Sequence, residues 1–332
     1  MNRLIETRNR NHRARFVAAV LLLTVLSLAA SASAQTAATG ALTGTIADPT
    51  GAVLPSANVK VTNEVTSQAR TVTTQSSGVY TVPLLPPGRY HVEITQSGFK
   101  TAARSGVDIN VTETTRLDVQ LEVGAATETV TIESSPAIVQ TESSALGRVI
   151  NEKTVVSLPL VTRNYTQIIA LSPGITADVT NAAELGRGRG GLSAIFSGGT
   201  FVHGARAYDN NFQMNGVGIN DFAAQDAESG GVAIPNPDTI QEFKVQTGQY
   251  DAAYGRNAGA NVNLITKGGG NDFHGNLFEF FRNNALNAND FFFNSLGQKK
   301  PVLRQNQFGG TLGGPLVKDK LLFFGSYQGT RA

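Results

Sequence analysis

The sequence contains no cysteine, so neither a disulfide framework nor a thiolate metal site is open to it. Histidine is scarce: the 4 residues are His12, His91, His203 and His274, and none stands in an H-E-x-x-H pattern. No G-x-S-x-G elbow and no P-loop occurs. Charged residues make up only 16% of the chain, with 27 Lys and Arg against 25 Asp and Glu. Arg3, Arg8, Arg10, Arg13 and Arg15 sit in the first residues with only Glu6 against them, so the remainder is slightly acidic. No basic stripe is left that could release counterions from nucleic acid, which excludes that partner class. Aromatics are also few at 7%, while Gly reaches 35; this composition indicates a β-rich chain with many turns.

What is present begins with a leader, residues 1–34. A basic stretch to Arg15 precedes the apolar run Phe16–Ala30 and an A-x-A site, Ala32-Ser33-Ala34, before Gln35. The apolar run is shorter than the about 20 residues a membrane span requires, so the leader is expected to be a cleaved signal peptide. Arg13-Ala-Arg15 is not a twin-Arg signal, and general secretion is expected.

The length of 332 residues allows two or three domains. In the first of them, residues 39–123, Val59/Val61, Tyr80/Val82/Leu84, Tyr90/Val92/Ile94, Val107/Ile109/Val111 and Leu117/Val119/Leu121 put apolar side chains on one face of short strands. Asp48-Pro-Thr-Gly51, Ser77-Gly78, Pro86-Pro-Gly88 and Ser97-Gly98 supply the turns. Strands of this spacing predict a β-sandwich. At about 80 residues it is just large enough for its own core. Gly78-Val-Tyr80, Leu85-Pro-Pro-Gly88-Arg-Tyr90 and Gly98-Phe99 resemble the carboxypeptidase-regulatory-like family. That resemblance implies a prealbumin-like fold serving folding or docking rather than peptidase activity. The wider fold group includes carbohydrate-binding modules and pilin-type sandwiches with internal Lys–Asn isopeptide bonds. Here Lys60 and Glu93 alternate with inward residues and are expected to face solvent, which argues against that chemistry.

Residues 124–136 read as a linker. Its segment Glu128, Thr129, Val130, Thr131, Ile132 ends at Ser134-Ser-Pro136, and such an extended stretch suits strand addition to a partner's sheet edge. The segment resembles the TonB box of TonB-dependent receptors, which a periplasmic energy-coupling protein grips. It reads equally as the first strand of the next domain, and both readings stand. Residues 137–268 then offer two Asn-capped helices, Asn151–Leu158 and Asn164–Leu171, a Gly-rich polar loop at 181–200, and strands at 201–204, 211–217 and 240–246. Gly186-Arg-Gly-Arg-Gly-Gly191 satisfies G-x-G-x-x-G, but it follows no strand and opens no helix, so it does not point to a dinucleotide.

Gln241-Glu242-Phe-Lys-Val245, Gly248, Tyr254-Gly255 and Gly259-Ala-Asn-Val-Asn263-Leu-Ile265-Thr-Lys267 resemble the end of the plug domain of TonB-dependent outer-membrane receptors. Thr247-Gly248-Gln249 departs from the Arg-Gly-Pro common in that family. Asn271-Asp-Phe-His-Gly275, Phe278-Glu279, Arg282-Asn283 and Gln307-Phe-Gly-Gly-Thr-Leu-Gly-Gly-Pro315 resemble its Oar-like branch. Residues 269–332 accordingly read as the first strands of a transmembrane β-barrel, near 273–282, 304–314 and 320–327, with a long loop at 283–301 outside and a turn at 315–319 in the periplasm. A closed barrel needs about 8 strands or more, so the barrel is expected to be incomplete.

The overall expectation is a mainly β chain: a prealbumin-like sandwich, an α+β plug and an incomplete barrel. It is located in the outer membrane as the N-terminal portion of an energy-coupled receptor. The resemblance implies a TonB-type partner, outer-membrane lipid and a large or scarce solute such as an oligosaccharide or peptide, with no cofactor. Arg187, Arg189, Asp209 and Asp221 are the expected ligand-facing plug-loop residues. The carboxylates Asp209, Asp221, Asp226 and Glu228 also read as solvated loop caps. No catalysis is expected. The alternative is a periplasmic or cell-surface carbohydrate-binding or scaffold protein without transport.

Overall fold

The computed structural model describes residues 38–125, 129–131, 142–160, 163–177, 200–206, 209–220, 235–250, 254–255, 257–289, 291–300 and 302–331. The leader, the Gly-rich loop at 181–199 and its G-x-G-x-x-G run lie outside them. The chain is mainly β, with few and short helices.

The first part is a sandwich of two sheets. One contains β1 (Gly40–Ala47), which pairs antiparallel with β4 (Val79–Leu85) and parallel with β7 (Thr114–Arg116) and β8 (Val119–Gln120). The other is ordered β3 (Ala69–Thr73), β2 (Asn58–Asn63), β5 (Gly88–Thr95), β6 (Thr101–Ile109), β9 (Thr129–Thr131). Alternation along each strand turns Leu42, Ile46, Val59, Val61, Tyr80, Val92 and Ile94 into one shared core. The Tyr80 hydroxyl donates to the Leu117 carbonyl at 2.8 Å inside it, and burial raises the phenol's pKa. In the first turn Asp48 Oδ1 accepts from Thr50 Oγ1 at 2.7 Å and from the N–H groups of Thr50 and Ala52. The Thr50 hydroxyl bond holds the carboxyl below its usual range.

Lys60 and Glu93 lie opposite each other on the solvent side, 3.8 Å apart. An exposed pair of this kind contributes at most about 1 kcal/mol. Leu84 departs from expectation. It is exposed with φ of 56°, and Leu85 takes the core position instead. The cause is a bulge: Leu42 pairs with Val82 and Gly40 with Leu85, so one extra residue is looped out of β4 and the inward alternation shifts by one.

The central part has a mixed sheet ordered β10 (Leu146–Asn151), β15 (Ile240–Gly248), β16 (Asn261–Thr266), β13 (Asn211–Met214), β14 (Val217–Gly218). A smaller ladder joins β11 (Ile175–Ala177) to β12 (Thr200–Val202). Both expected helices form, though shorter. Asn151 Oδ1 accepts from Thr154 N at 3.0 Å and starts the helix Glu152–Ser157. Asn164 Oδ1 accepts from Thr166 N and Oγ1 ahead of Thr166–Ile169. Val155, Tyr165, Ile168 and Ile169 pack on the apolar face made by Ile150, Phe212, Phe243, Val245, Val262 and Leu264. The expected strand at 211–217 is instead a hairpin. Asn215 and Gly216, with φ of 51° and 80°, form its tight turn.

The last part is a three-stranded antiparallel meander of β17 (His274–Asn283), β18 (Arg304–Val317) and β19 (Leu321–Arg331). The glycine pairs of β18 make room for neighbouring side chains. A Cβ on Gly309 would lie 2.8 Å from Phe278 Cζ, and one on Gly310 would lie 2.6 Å from Leu277 Cδ2. The expected turn at 315–319 is shorter. Pro315 stays paired with Leu322, an irregularity follows before Val317, and the chain reverses over 318–320. That irregularity lets a residue without an N–H remain in the ladder. The stretch at 283–301 is not a plain loop either, as it holds the 3-10 turn Asn284–Leu286 and the helix Phe291–Ser295.

Candidate coupling segment and its docking surfaces

Within the candidate coupling segment, Thr129–Thr131 form a strand. Two of its three residues are β-branched threonines around Val130, a composition that favours extended backbone. The strand runs parallel to β6, with Thr101 opposite Thr129, Ala102 opposite Val130 and Ala103 opposite Thr131. It therefore lengthens the sandwich's second sheet by one strand. Glu128 and Ile132 lie outside the described residues.

The sandwich meets the central sheet through charge. Lys244 on β15 is 1% exposed, and its Nζ lies 3.0 Å from Glu113 Oε1, whose side chain is 11% exposed. Glu242, two residues earlier on the same face, accepts from Val111 N at 2.6 Å. Asn110 Nδ2 donates to Glu113 Oε2, and Gln241 Nε2 donates to the Pro87 carbonyl. The sandwich loop 110–113 thus carries an acid and an N–H to a sheet face that offers a base and an acid.

Burial pushes the Glu242 carboxyl up to about 7; Glu113 and Asp108 push the same way, while the Val111 N–H and Lys244 oppose them. The folded protein therefore holds this proton more tightly than the unfolded chain, whose carboxyl titrates near 4.5. This contribution is fully present below that value, falls as pH rises, and is lost above about 7. Glu242→Gln keeps an acceptor for Val111 and cannot ionise. In urea unfolding at a series of pH values, wild type minus variant stability is expected to drop by about 3 kcal/mol across the window. A constant difference would show that Glu242 is not the titrating group.

The face that carries Glu242 and Lys244 is mostly polar, with Ile265 opposite Glu242 and Val149 opposite Lys244. Register places Gln246, Asn261, Asn263, Asn211 and Gln213 beside them. Asn263 Nδ2 donates to Gln246 Oε1, Asn211 Nδ2 to Asn261 Oδ1, and Asn220 Nδ2 to Asn211 Oδ1. Asn261 Nδ2, Asn263 Oδ1 and Gln213 Oε1 are buried without a hydrogen-bond partner. Each such group costs about 1–3 kcal/mol, so this layer is the weaker side of the sheet.

A second charged junction joins the central part to the meander. Arg163, buried and with φ of 53°, pairs with Asp238 and donates to Asn236 Oδ1 at 2.9 Å. Its guanidinium lies over the rings of Phe280 and Phe278, at 4.0 and 4.4 Å. Asn276 of β17 also donates to Asp238, and Thr239 bonds to Ser326 at 2.7 Å. At the other end, Asn271 bonds Asp319 of the β18–β19 turn and the sandwich residues Val65 and Ser67. A cavity of about 770 Å³ lies where the three parts meet, between Pro87, Gln241, Lys267 and Asn276.

The meander itself has two contrasting faces. Register groups Leu277, Phe281, Phe308, Leu312, Phe323 and Tyr327 on one side, interrupted by Glu279, Asn306 and Arg331, with Leu277 93% exposed. Asn276, Arg282, Gln305, Gln307, Thr311, Ser326 and Gln328 share the other side with the rings of Phe278, Phe280 and Phe324, and this side faces Arg163 and Thr239.

Of the expected ligand-facing residues, Arg187, Arg189 and Asp221 lie outside the described residues. Asp209 closes a turn, its carboxylate accepting from Arg206 N at 3.1 Å. Among the described residues no cluster of His, Asp and Glu could hold a metal ion. His91 hydrogen-bonds with Ser105 at the surface, and His274 with the Asp272 carbonyl. Glu113, Glu242, Lys244, Arg163 and Asp238 were not singled out by sequence reasoning. Period-2 alternation along Gln241–Gln246 puts Glu242, Lys244 and Gln246 on one face, but only the docked sandwich reveals that this face is buried.

Comparison with known proteins gives matches at both ends of the described chain. A carboxypeptidase regulatory-like domain model matches residues 41–122, and an outer membrane beta barrel domain model matches residues 265–332. The TonB-dependent transporter Oar of Myxococcus xanthus is 28% identical over 89% of the chain. The chain spans 27% of that relative's length. Among solved structures, the siderophore receptor PirA of Acinetobacter baumannii is 19% identical, with a TM-score of 0.42, covering 57% of this chain and 25% of the receptor. The outer membrane transporter YddB of Escherichia coli is 13% identical, with a TM-score of 0.35, covering 55% and 29%. The likeness to Oar-like TonB-dependent receptors expected from the sequence therefore holds along most of the chain, and the relative matched over that length is a transporter, not an enzyme.

Proposed function

We propose that the chain is the coupling and gating portion of a TonB-dependent outer-membrane transporter. Residues 128–132 act as the TonB box, residues 137–268 as the plug, and β17–β19 as the first strands of a barrel. The observation that carries this reading is the meander's pair of faces: mainly apolar outward, and inward a polar face interrupted by Phe278, Phe280 and Phe324, with the central sheet held to the inward face by Arg163 and Asp238. Lipid-spanning barrels need that alternation. They must also close, because lipid satisfies no open sheet edge, and among the described residues β17 and β19 each have one edge without a strand partner.

The sandwich lies at the end of the meander where the short β18–β19 turn bonds Asn271. Short turns belong on the periplasmic side of such barrels, so the sandwich and the box belong in the periplasm, where an energy-coupling protein could reach them. Residues 1–34 serve as the export signal. Force on the box would be delivered to a sheet with one half-satisfied polar face, which favours rearrangement over rigid transmission. Arg187, Arg189, Asp209 and Asp221 remain the proposed contacts for a large or scarce solute.

Val130→Pro in the complete receptor provides the test. Proline removes a backbone N–H and cannot serve a strand-adding partner fully. Energy-dependent uptake should fall at least tenfold while the receptor's amount in the outer membrane is unchanged. Normal uptake by the variant would show that the box lies elsewhere.

A further inference from the structure

We infer that the sandwich is a presenting platform: it holds the coupling segment as a pre-formed edge strand onto which the partner's sheet adds. This rests on the reading of residues 128–132 as the coupling segment and goes beyond it, because it assigns a task to the sandwich and an order to the assembly.

The observation is the parallel ladder between β6 and β9. A strand has two hydrogen-bonding edges, and β9 spends one on Thr101–Ala103. It is the terminal strand of its sheet, so among the described residues its other edge has no strand partner. An edge with no strand partner is a template for another chain. The edge is also anchored. Thr101, Ala102 and Ala103 of β6 are buried, and Ala102 belongs to the sandwich core. β6 pairs in turn with β5, so the strand rests on the rigid part of the module. A free linker would have to be ordered at the moment of binding. A strand already extended on a sheet has lost that freedom beforehand, which favours association. The partner this surface fits is a protein with an exposed strand of its own. The product is one continuous sheet running from the sandwich through β9 into the partner.

The platform is further tied to the gate. The loop that follows β6 carries Val111 and Glu113, which bind Glu242 and Lys244 on β15. A pull on β9 therefore reaches the central sheet through the downstream chain and also through β6 and this loop.

The chain's lack of cysteine makes the test clean. Ala103→Cys and Thr131→Cys are introduced together, at positions that are Cα partners in the ladder. Such partners lie at about the separation a disulfide tolerates. The purified full chain is titrated, oxidised and reduced, with the purified periplasmic domain of a TonB-type protein from the same organism. Hydrogen exchange at the amides of residues 129–131 is followed in the unsubstituted chain, so that a poorly folding variant does not end the experiment. A disulfide that forms readily, slow exchange at the ladder, and oxidised-chain binding equal to or a few-fold tighter than reduced support the platform. No disulfide together with unprotected amides overturns it, because the strand is then not on the sandwich. Binding lost on oxidation and restored by reductant also overturns it, since sandwich and partner would be competing for the same edge. If the disulfide forms but neither the reduced nor the unsubstituted chain binds, the assignment of residues 128–132 as coupling segment fails, and this inference with it.

Discussion

Arg163→Met is expected to destabilise the junction between the central sheet and the meander by about 3–5 kcal/mol, the usual consequence of leaving a buried carboxylate without its cation. Asp238 would retain Asn276 but lose the guanidinium. The rings of Phe278 and Phe280 would lose a cation–π partner as well, a contribution of about 2 kcal/mol when desolvated. Methionine is the informative replacement because glycine would also relax the positive φ at this position. Arg163→Lys should recover only part of the loss, since an ammonium cannot stack as a plane over two rings. Adding Asp238→Asn to Arg163→Met should recover more, because the stranded charge is then gone. Unfolding in detergent, followed by intrinsic fluorescence of the tyrosines and by proteolysis, measures all three. A loss below about 1 kcal/mol for Arg163→Met would mean that the pair is solvated in solution and does not join these parts.

The second large effect is expected at the sandwich. Glu113→Ala leaves Lys244 buried and unpaired, and should cost about 3–5 kcal/mol. Lys244→Met removes the charge and keeps much of the stem's volume, so Glu113→Ala with Lys244→Met should be markedly more stable than Glu113→Ala alone. Salt should matter little, because the pair is shielded from solvent. The cycle is read as the urea midpoint of the full chain. Additive losses from the two single changes would separate Glu113 from Lys244 and leave Glu242–Val111 and Gln241–Pro87 to hold these surfaces together.

Most strands could be read from the sequence because their signals are local. The alternation in Val59/Val61 and Tyr90/Val92/Ile94 needs only a strand with one face against a core, and both strands form as expected. Asn151 announces its helix through a side-chain bond three residues away. Leu84 was misplaced because a bulge shifts the alternation, and nothing in the run Pro83-Leu-Leu85 distinguishes which leucine is looped outward. The hairpin at Asn215-Gly216 was missed although Asn-Gly is a strong turn signal, since the strands on either side are too short to show a period.

The docking residues had a different obstacle. Lys244 and Glu113 are separated by more than a hundred positions, and on a strand an alternating charged face ordinarily means a solvated one. Only the approach of loop 110–113 makes that face interior. Arg163 had no signal either, as its partners are contributed by Asp238 and by rings on β17. The candidate coupling segment was proposed from its extended composition and its resemblance to a TonB box, but its parallel pairing with β6 depends on tertiary geometry.

The most direct measurement is cysteine cross-linking in living cells. Val130→Cys, the sole cysteine of this chain, is combined with single cysteines placed in turn along the sheet edge of the TonB-type protein's periplasmic domain. A coupling segment that pairs as a strand should give cross-linked receptor at alternate positions of that edge, and Val130→Cys should lose the product when Thr129→Pro is added. Absence of any cross-link at residue 130, with strong cross-links from cysteines elsewhere in the linker or the central sheet, would contradict a TonB-coupled role for this segment.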